Sequence, residues 1–174
     1  MRIKRITIRK RRRRQGKTDY RARLRILSSG KPRLVVRKSN LYIIAQIVNS
    51  KEAQDSVICA VNSKVLNKYG WNFSKKNLPA SYLTGFLLVK KYKSKMQKME
   101  KEQGAILDLG LYRNTRGSKI YACLKGALDA GLEIPHSEEI LPKEERIKGK
   151  HINKEVEKVF EQVKEKILNE FKNG

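Results

Sequence analysis

Apolar positions change their period several times along the chain, and each change marks an element. Residues 33–38 (RLVVRK), 41–48 (LYIIAQIV) and 56–61 (SVICAV) are short runs rich in β-branched side chains, a strand composition. Ser39 and Asn40 read as a two-residue hairpin turn, and the polar stretch 49–55 leads to the third run, so the three predict an antiparallel meander. After Gly70 and Trp71 the period becomes helical. From Pro79, tolerated in a first helical turn, ASYLTGFLLVKKYKSKMQKM carries apolar residues at Tyr82, Leu83, Phe86, Leu87, Val89 and Tyr92 and predicts one long helix. Residues 105–110 (AILDLG) predict a fourth strand, 118–131 a helix closed by Gly131, and 132–134 (LEI) a fifth strand. A strand–helix–strand–helix–strand tail behind a meander requires right-handed crossovers. The expected fold class is therefore α/β, a mixed five-stranded sheet flanked by helices.

Both ends differ from this middle. Arg9, Lys10, Arg11, Arg12, Arg13 and Arg14 are six adjacent cations that cannot enter a core, and alone they should be extended and solvated. Thr18 or Asp19 is placed to cap a helix over YRARLRILSS, with Gly30 at its end and Leu24 and Leu27 on its inner face. At the other end, Pro135 and Pro142 predict an extended linker. From His151 a stripe of Ile152, Val156, Val159, Phe160, Val163, Ile167 and Phe171 predicts an amphipathic helix. That helix either packs back on its own domain or docks on a neighbour, and the pattern does not choose. The organisation expected is a basic arm with a short helix (1–30), an α/β domain (31–134), and a linker with a C-terminal helix (135–174).

Charge narrows the function. The 174 residues carry a formal net charge of +24, of which residues 1–25 contribute +12, residues 26–132 contribute +13 and residues 133–174 contribute −1. A compact chain so basic repels itself until a polyanion neutralises it, which makes nucleic acid the leading partner. Arginine dominates the arm and suits bidentate phosphate contacts. A solvated arm or a nuclear import signal is the plainer reading of such a run and a transit-peptide mimic a minor one, but the global charge favours an arm laid along RNA phosphates. Cys59 and Cys123 form no disulfide framework and, with two histidines, no zinc spacing, so no metal or cofactor is expected. Cys59 reads as a small buried hydrophobe, and His136 and His151 as linker or capping residues. No apolar run is long enough for a membrane span and the start lacks a secretory h-region, so no membrane partner is expected and the chain reads as intracellular.

The loop LGLYRNTRGSK between the fourth strand and the next helix combines Tyr112, Arg113, Arg116, Gly117, Ser118 and Lys119 at a helix N-terminus, a place where a phosphate can be held. A nuclease would need several carboxylates around metal ions. The α/β region offers Glu52, Asp55, Glu100, Glu102, Asp108 and Asp129, and only Asp108 lies squarely inside a predicted core strand. No phosphate-binding glycine motif is present either, so catalysis is not expected.

Residues 11–48 (RRRRQGKTDYRARLRILSSGKPRLVVRKSNLYIIAQIV), then 77–92 (NLPASYLTGFLLVKKY) and 106–152, resemble in the same order the 5S-rRNA-binding ribosomal protein family numbered eighteen in the large subunit. The likeness is to its archaeal branch, whose eukaryotic counterpart is numbered five. It covers roughly residues 9 to 152, while 153–174 match nothing in that pattern. The resemblance implies a ribonuclease-H-like fold without catalysis, lodged in the central protuberance of the cytoplasmic ribosome's large subunit. The implied partners are 5S rRNA, large-subunit rRNA and neighbouring ribosomal proteins, among them the one numbered five in the bacterial scheme. The implied rRNA-binding residues are Arg11, Arg12, Arg13, Arg14, Lys17, Thr18, Asp19, Tyr20 and Arg21, with Arg9 in the same run. To these it adds Arg37, Lys38, Ser39 and Asn40 of the first turn, and Tyr112, Arg113, Arg116, Gly117 and Lys119 of the second loop. A generic structured-RNA binder or assembly chaperone without 5S specificity is the alternative.

Overall fold

The computed structural model describes residues 8–52, 54–96 and 104–171. The first seven residues of the arm, the predicted end of the long helix beyond 96, and Glu100 and Glu102 lie outside them.

The arginine run is not extended. Residues Arg11–Arg14 form one helical turn, α1, closed by bonds from Arg14 N–H and Arg13 N–H to the Lys10 carbonyl and from Lys17 N–H to the Arg12 carbonyl (3.1, 3.0 and 2.9 Å). Backbone hydrogen bonding wins because every arginine of the turn fans into solvent, where repulsion is screened. The next helix, α2 (Tyr20–Leu27), starts at Asp19, whose Oδ1 accepts from the N–H groups of Arg21 and Ala22 (2.9 and 3.2 Å).

Strands β1 (Arg33–Lys38), β2 (Ile43–Lys51) and β3 (Gln54–Asn62) form the expected meander. The first connection has four residues rather than two. Ser39 N–H donates to the Tyr42 carbonyl (2.9 Å) and Ser39 Oγ accepts from Tyr42 N–H (2.8 Å), so Leu41 and Tyr42 leave the ladder. The polar stretch after β2 is mostly ladder, pairing Asn49 with Ser56, Ser50 with Asp55 and Lys51 with Gln54, so the hairpin is longer than its apolar residues suggest. A 3-10 segment follows at Ser63–Tyr69, and then α3 (Leu78–Met96).

Helix α3 is buried on all sides from Leu78 to Val89, as expected of a stretch apolar nearly all round, and its lysine-bearing end beyond Val89 buries only Tyr92 among the described residues. Its buried aliphatic hydroxyls bond back along the chain, Ser81 donating to the Asn77 carbonyl (2.8 Å) and Thr84 to the Ala80 carbonyl (2.6 Å), while the Tyr82 hydroxyl donates to Asp129 (2.7 Å). After it come β4 (Ile106–Asp108), parallel to β1, and α4 (Lys119–Asp129). Helices α3 and α4 touch backbone to backbone at two glycines. A Cβ on Gly85 would sit 2.0 Å from the Cys123 carbonyl oxygen, and one on Gly126 2.1 Å from that of Tyr82.

Among the described residues the sheet has four strands in the order β3-β2-β1-β4, not five. Residues 132–134 are coil joined to the sheet side by one bond, Ala105 N–H to the Glu133 carbonyl (2.8 Å). Leu132 and Ile134 are buried, so the apolar signal was real, but Gly131 turns the chain and Pro135 ends the segment before a ladder forms. The linker is not simply extended. It holds a 3-10 turn at Glu138–Ile140 and a short helix, α5 (Glu144–Lys148), with Ile147 in the core. Helix α6 (Lys154–Glu170) then buries Val156, Phe160, Val163 and Ile167 against the chain's own α3, 3-10 segment and α5. Of the two placements left open for that stripe, self-packing holds for these four residues. Ile152 lies before the helix and stays half-exposed.

Candidate nucleic-acid interface

The period-2 pleat sends alternate residues to opposite sheet faces. Leu34, Val36, Ile43, Ala45, Ile47, Cys59 and Val61 point to the buried side with α3 and α4. Arg33, Val35 and Arg37 of β1, Ser50 of β2, Asp55 of β3 and Asp108 of β4 share the other side. There the charged groups lock together. Arg33, only 3% exposed, donates to Asp108 (3.0 Å), Ser50 (3.1 Å) and Asp55 (2.7 Å). Arg37 donates to the Asp108 carboxylate (2.9 Å) and to the carbonyls of Asp108 and Val36 (2.8 and 2.9 Å). From α2, Arg23 donates to Asp55 (2.9 Å), so this network ties the arm to the sheet. Burial works against the ionised Asp55 carboxylate, but hydrogen bonds from Ser50, Arg23 and Arg33 and the Arg33 charge outweigh it and hold its pKa below the ordinary range.

The expected site residues divide by what they already do. Arg9 and Arg11, Arg13, Arg14, Lys17 and Arg21 are exposed cations. Arg12 donates its Nε–H to Thr18 (2.9 Å) but keeps its other donors outward. Asp19 is the helix cap, and Tyr20 is half-buried with the Lys10 ammonium 4.7 Å from its ring centroid. In the β1–β2 turn, Ser39 closes the loop on itself, Arg37 is spent on Asp108, and Lys38 and Asn40 remain to meet a ligand. Arg113 is exposed, and Arg116 makes a fully solvated pair with Glu139 (3.2 Å), which is worth little. Gly117, at φ 65°, gives its N–H to the Ile140 carbonyl (2.9 Å), a left-handed turn that a side chain would strain.

Two loops far apart in sequence become one surface through Tyr112. Its hydroxyl donates to the Lys38 carbonyl (2.8 Å) and accepts from the Lys38 N–H (3.2 Å), while the Lys38 ammonium lies 4.6 Å from its ring centroid. Lys119 opens α4 on the same surface. Burial, and then the charges of Lys76 and Lys38, depress its pKa. Lys76 is thus a third cation at a place sequence reasoning missed, because nothing local marks residue 76 as a neighbour of 38 and 119. The Arg33–Asp55–Asp108 network was also missed. Its only sequence signal was charged residues inside apolar strands, which must be paired when buried. Cys123 is fully enclosed, and burial pushes its thiol up to about 12, so it is inert at neutral pH.

Among the described residues no three His, Cys, Asp or Glu side chains come together as metal ligands, and no helix is long and apolar enough to cross a membrane. What the described residues do bring together is a basic surface on a rigid α/β frame, the layout of a protein that meets a polyanion. A family described as ribosomal large subunit proteins 60S L5 and 50S L18 matches residues 4–105 and 94–137. The large ribosomal subunit protein uL18 of Korarchaeum cryptofilum is 52% identical over 158 residues, covering 91% of this chain and 78% of its own. That of Methanospirillum hungatei is 50% identical over 142 residues, covering 82% of this chain and 78% of its own. The chain belongs to this family, in its archaeal-type branch, and is a structural ribosomal component rather than an enzyme.

Proposed function

We propose that the protein binds 5S rRNA and attaches it to the central protuberance of the large subunit. It would contact large-subunit rRNA there, and neighbouring ribosomal proteins including the one numbered five in the bacterial scheme, in the cytoplasm. In this reading residues 31–134 are the RNA-binding domain, 1–30 its arm, and 135–174 a brace. The strand order with a parallel β1–β4 pair and the main helices on one face supports the ribonuclease-H-like description.

The observation that carries the proposal is the pairing of the two basic loops through Tyr112, with Lys119 on the same surface feeling the charges of Lys76 and Lys38. A fixed spacing of cations selects an RNA by the shape of its backbone, which is how structured RNA is recognised. A phosphate placed among Lys38, Lys76 and Lys119 would relieve their mutual repulsion. The arm, with its exposed arginines, instead favours the alternative of a generic RNA binder, because solvated cations meet any phosphate. Competition decides between them. Labelled 5S rRNA bound to the purified chain is challenged with excess transfer RNA across a salt series. Retention of 5S rRNA is expected, and free displacement by transfer RNA would leave only the generic reading.

A further inference from the structure

A cavity of about 330 Å3 lies between the arm and the sheet, and the phosphate reading leaves it unused. One wall is α2 with the turn before it, through Arg12, Lys17, Asp19 and Ile26, and the other is β4 with the turn after it, through Leu109 and, from β1, Arg37. Its size is at the small end of ligand sites, which run from about 300 to 1,000 Å3.

The walls select a ligand class. Polar groups on the floor are already satisfied, since Asp108 accepts from Arg33, Arg37 and the Gly110 N–H (3.0, 2.9 and 2.8 Å). Such a floor has little to offer an ion or a sugar. The planar guanidinium of Arg37 is pinned by its bonds, with Gly110 against one face, and the 39% of its side chain left exposed is the surface on which a ring would stack. Ile26 and Leu109 are half-buried and add apolar surface. Arg12 and Lys17 also line the cavity and supply charge. Asp19 uses Oδ1 for the α2 cap, and among the described residues its Oδ2 accepts no hydrogen bond, so it can accept one from an exocyclic amine.

We propose that this cavity receives one unstacked nucleobase of the bound RNA, with the flanking phosphates on Arg12 and Lys17. The proposal rests on the RNA-binding reading and adds to it a site for single-stranded character. The Arg23–Asp55–Arg33–Asp108–Arg37 network spans both walls, so the cavity exists before RNA arrives. A base in an unpaired loop enters without breaking a pair.

Ala22 lies on the wall with its side chain outside the core, so Ala22→Trp fills the cavity without disturbing the packing. The full chain and this variant are titrated into 5S rRNA carrying 2-aminopurine at one unpaired position at a time. With the unaltered chain, fluorescence should change sharply at one position. Ala22→Trp should abolish that change, weaken binding about tenfold and leave the salt slope as it was. Asp19→Asn, which still caps the helix, should weaken binding a few-fold with unchanged helicity. Equal affinity of Ala22→Trp and the unaltered chain, with equal fluorescence responses, overturns the proposal. If transfer RNA freely displaces 5S rRNA from the unaltered chain, it is the 5S reading that fails. The cavity is then judged on a single-stranded RNA with one 2-aminopurine, where equal responses from the two proteins reject it.

Discussion

The two basic regions differ in what their side chains are already doing. In the arm, Arg9, Arg11, Arg13 and Arg14 make no ion pair among the described residues and face water. In the paired loops, Arg37, Ser39 and Tyr112 hold the chain's own carboxylate and backbone groups, leaving Lys38, Lys119, Arg113 and Arg116 on a fixed frame. Solvated cations without a protein partner give affinity that counterion release makes steeply salt-dependent, and cations on a fixed frame give register. The difference teaches that charge density and recognition need not reside in the same residues.

The largest effect should come from removing residues 1–14. Affinity for every RNA should fall on the order of a hundredfold or more near 0.1 M salt, and the log–log salt slope should become shallower by roughly 0.7 to 0.9 for each phosphate no longer neutralised. Filter binding at four salt concentrations checks it, and an unchanged slope would place the affinity elsewhere. Next in size is Asp108→Asn. It leaves Arg33 buried without the more enclosed of its two carboxylate partners and loosens Arg37, at a cost of about 3 kcal/mol in chemical denaturation.

Tyr112→Phe is subtler. It strands the half-buried backbone groups of Lys38 and unlinks the two loops, at a cost of about 1–2 kcal/mol in stability. Discrimination of 5S rRNA from transfer RNA should drop severalfold while the salt slope holds. A fall in affinity for both RNAs alike would show that the loops are simply more charge.

The smallest effect concerns pH. The folded pKa of Asp55 lies below its unfolded value of about 3.9, so its contribution is complete above that value and is lost as pH falls through the folded pKa. The protection of α2 amides relative to their intrinsic exchange rates should therefore fall below about pH 4, as Arg23 loses its anchor. Asp55→Asn should show that lower protection at every pH.

Much of this frame was legible because its signals are local. Three β-branched runs form the meander, a cap at Thr18 or Asp19 marks the start of α2 whatever lies beyond it, and the apolar spacing from Tyr82 to Tyr92 marks α3. The fifth strand failed because burial of Leu132 and Ile134 does not require a ladder. Helix α1 was unreadable because charge argues against a helix while solvent screens that charge. For the site, the locations of the cations could be read directly, but not which of them were free. That the N–H donors of Arg37 go to Asp108 depends on β4 lying parallel beside β1, and Lys76 comes near Lys38 and Lys119 only in the folded chain. The apolar stripe of α6 was readable, but its target was not until Phe160 was found against Tyr82, with ring centroids 5.4 Å apart.

The division between arm and loops is tested most directly by one pair of variants in the same assay. Chains lacking residues 1–14, and chains carrying Arg113→Gln with Arg116→Gln, are each measured against 5S rRNA and transfer RNA over a salt series. The first should lose affinity for both RNAs and keep its preference, and the second should lose preference while keeping most of its affinity. If both variants lose affinity equally for both RNAs, the two regions do the same work and the division is wrong.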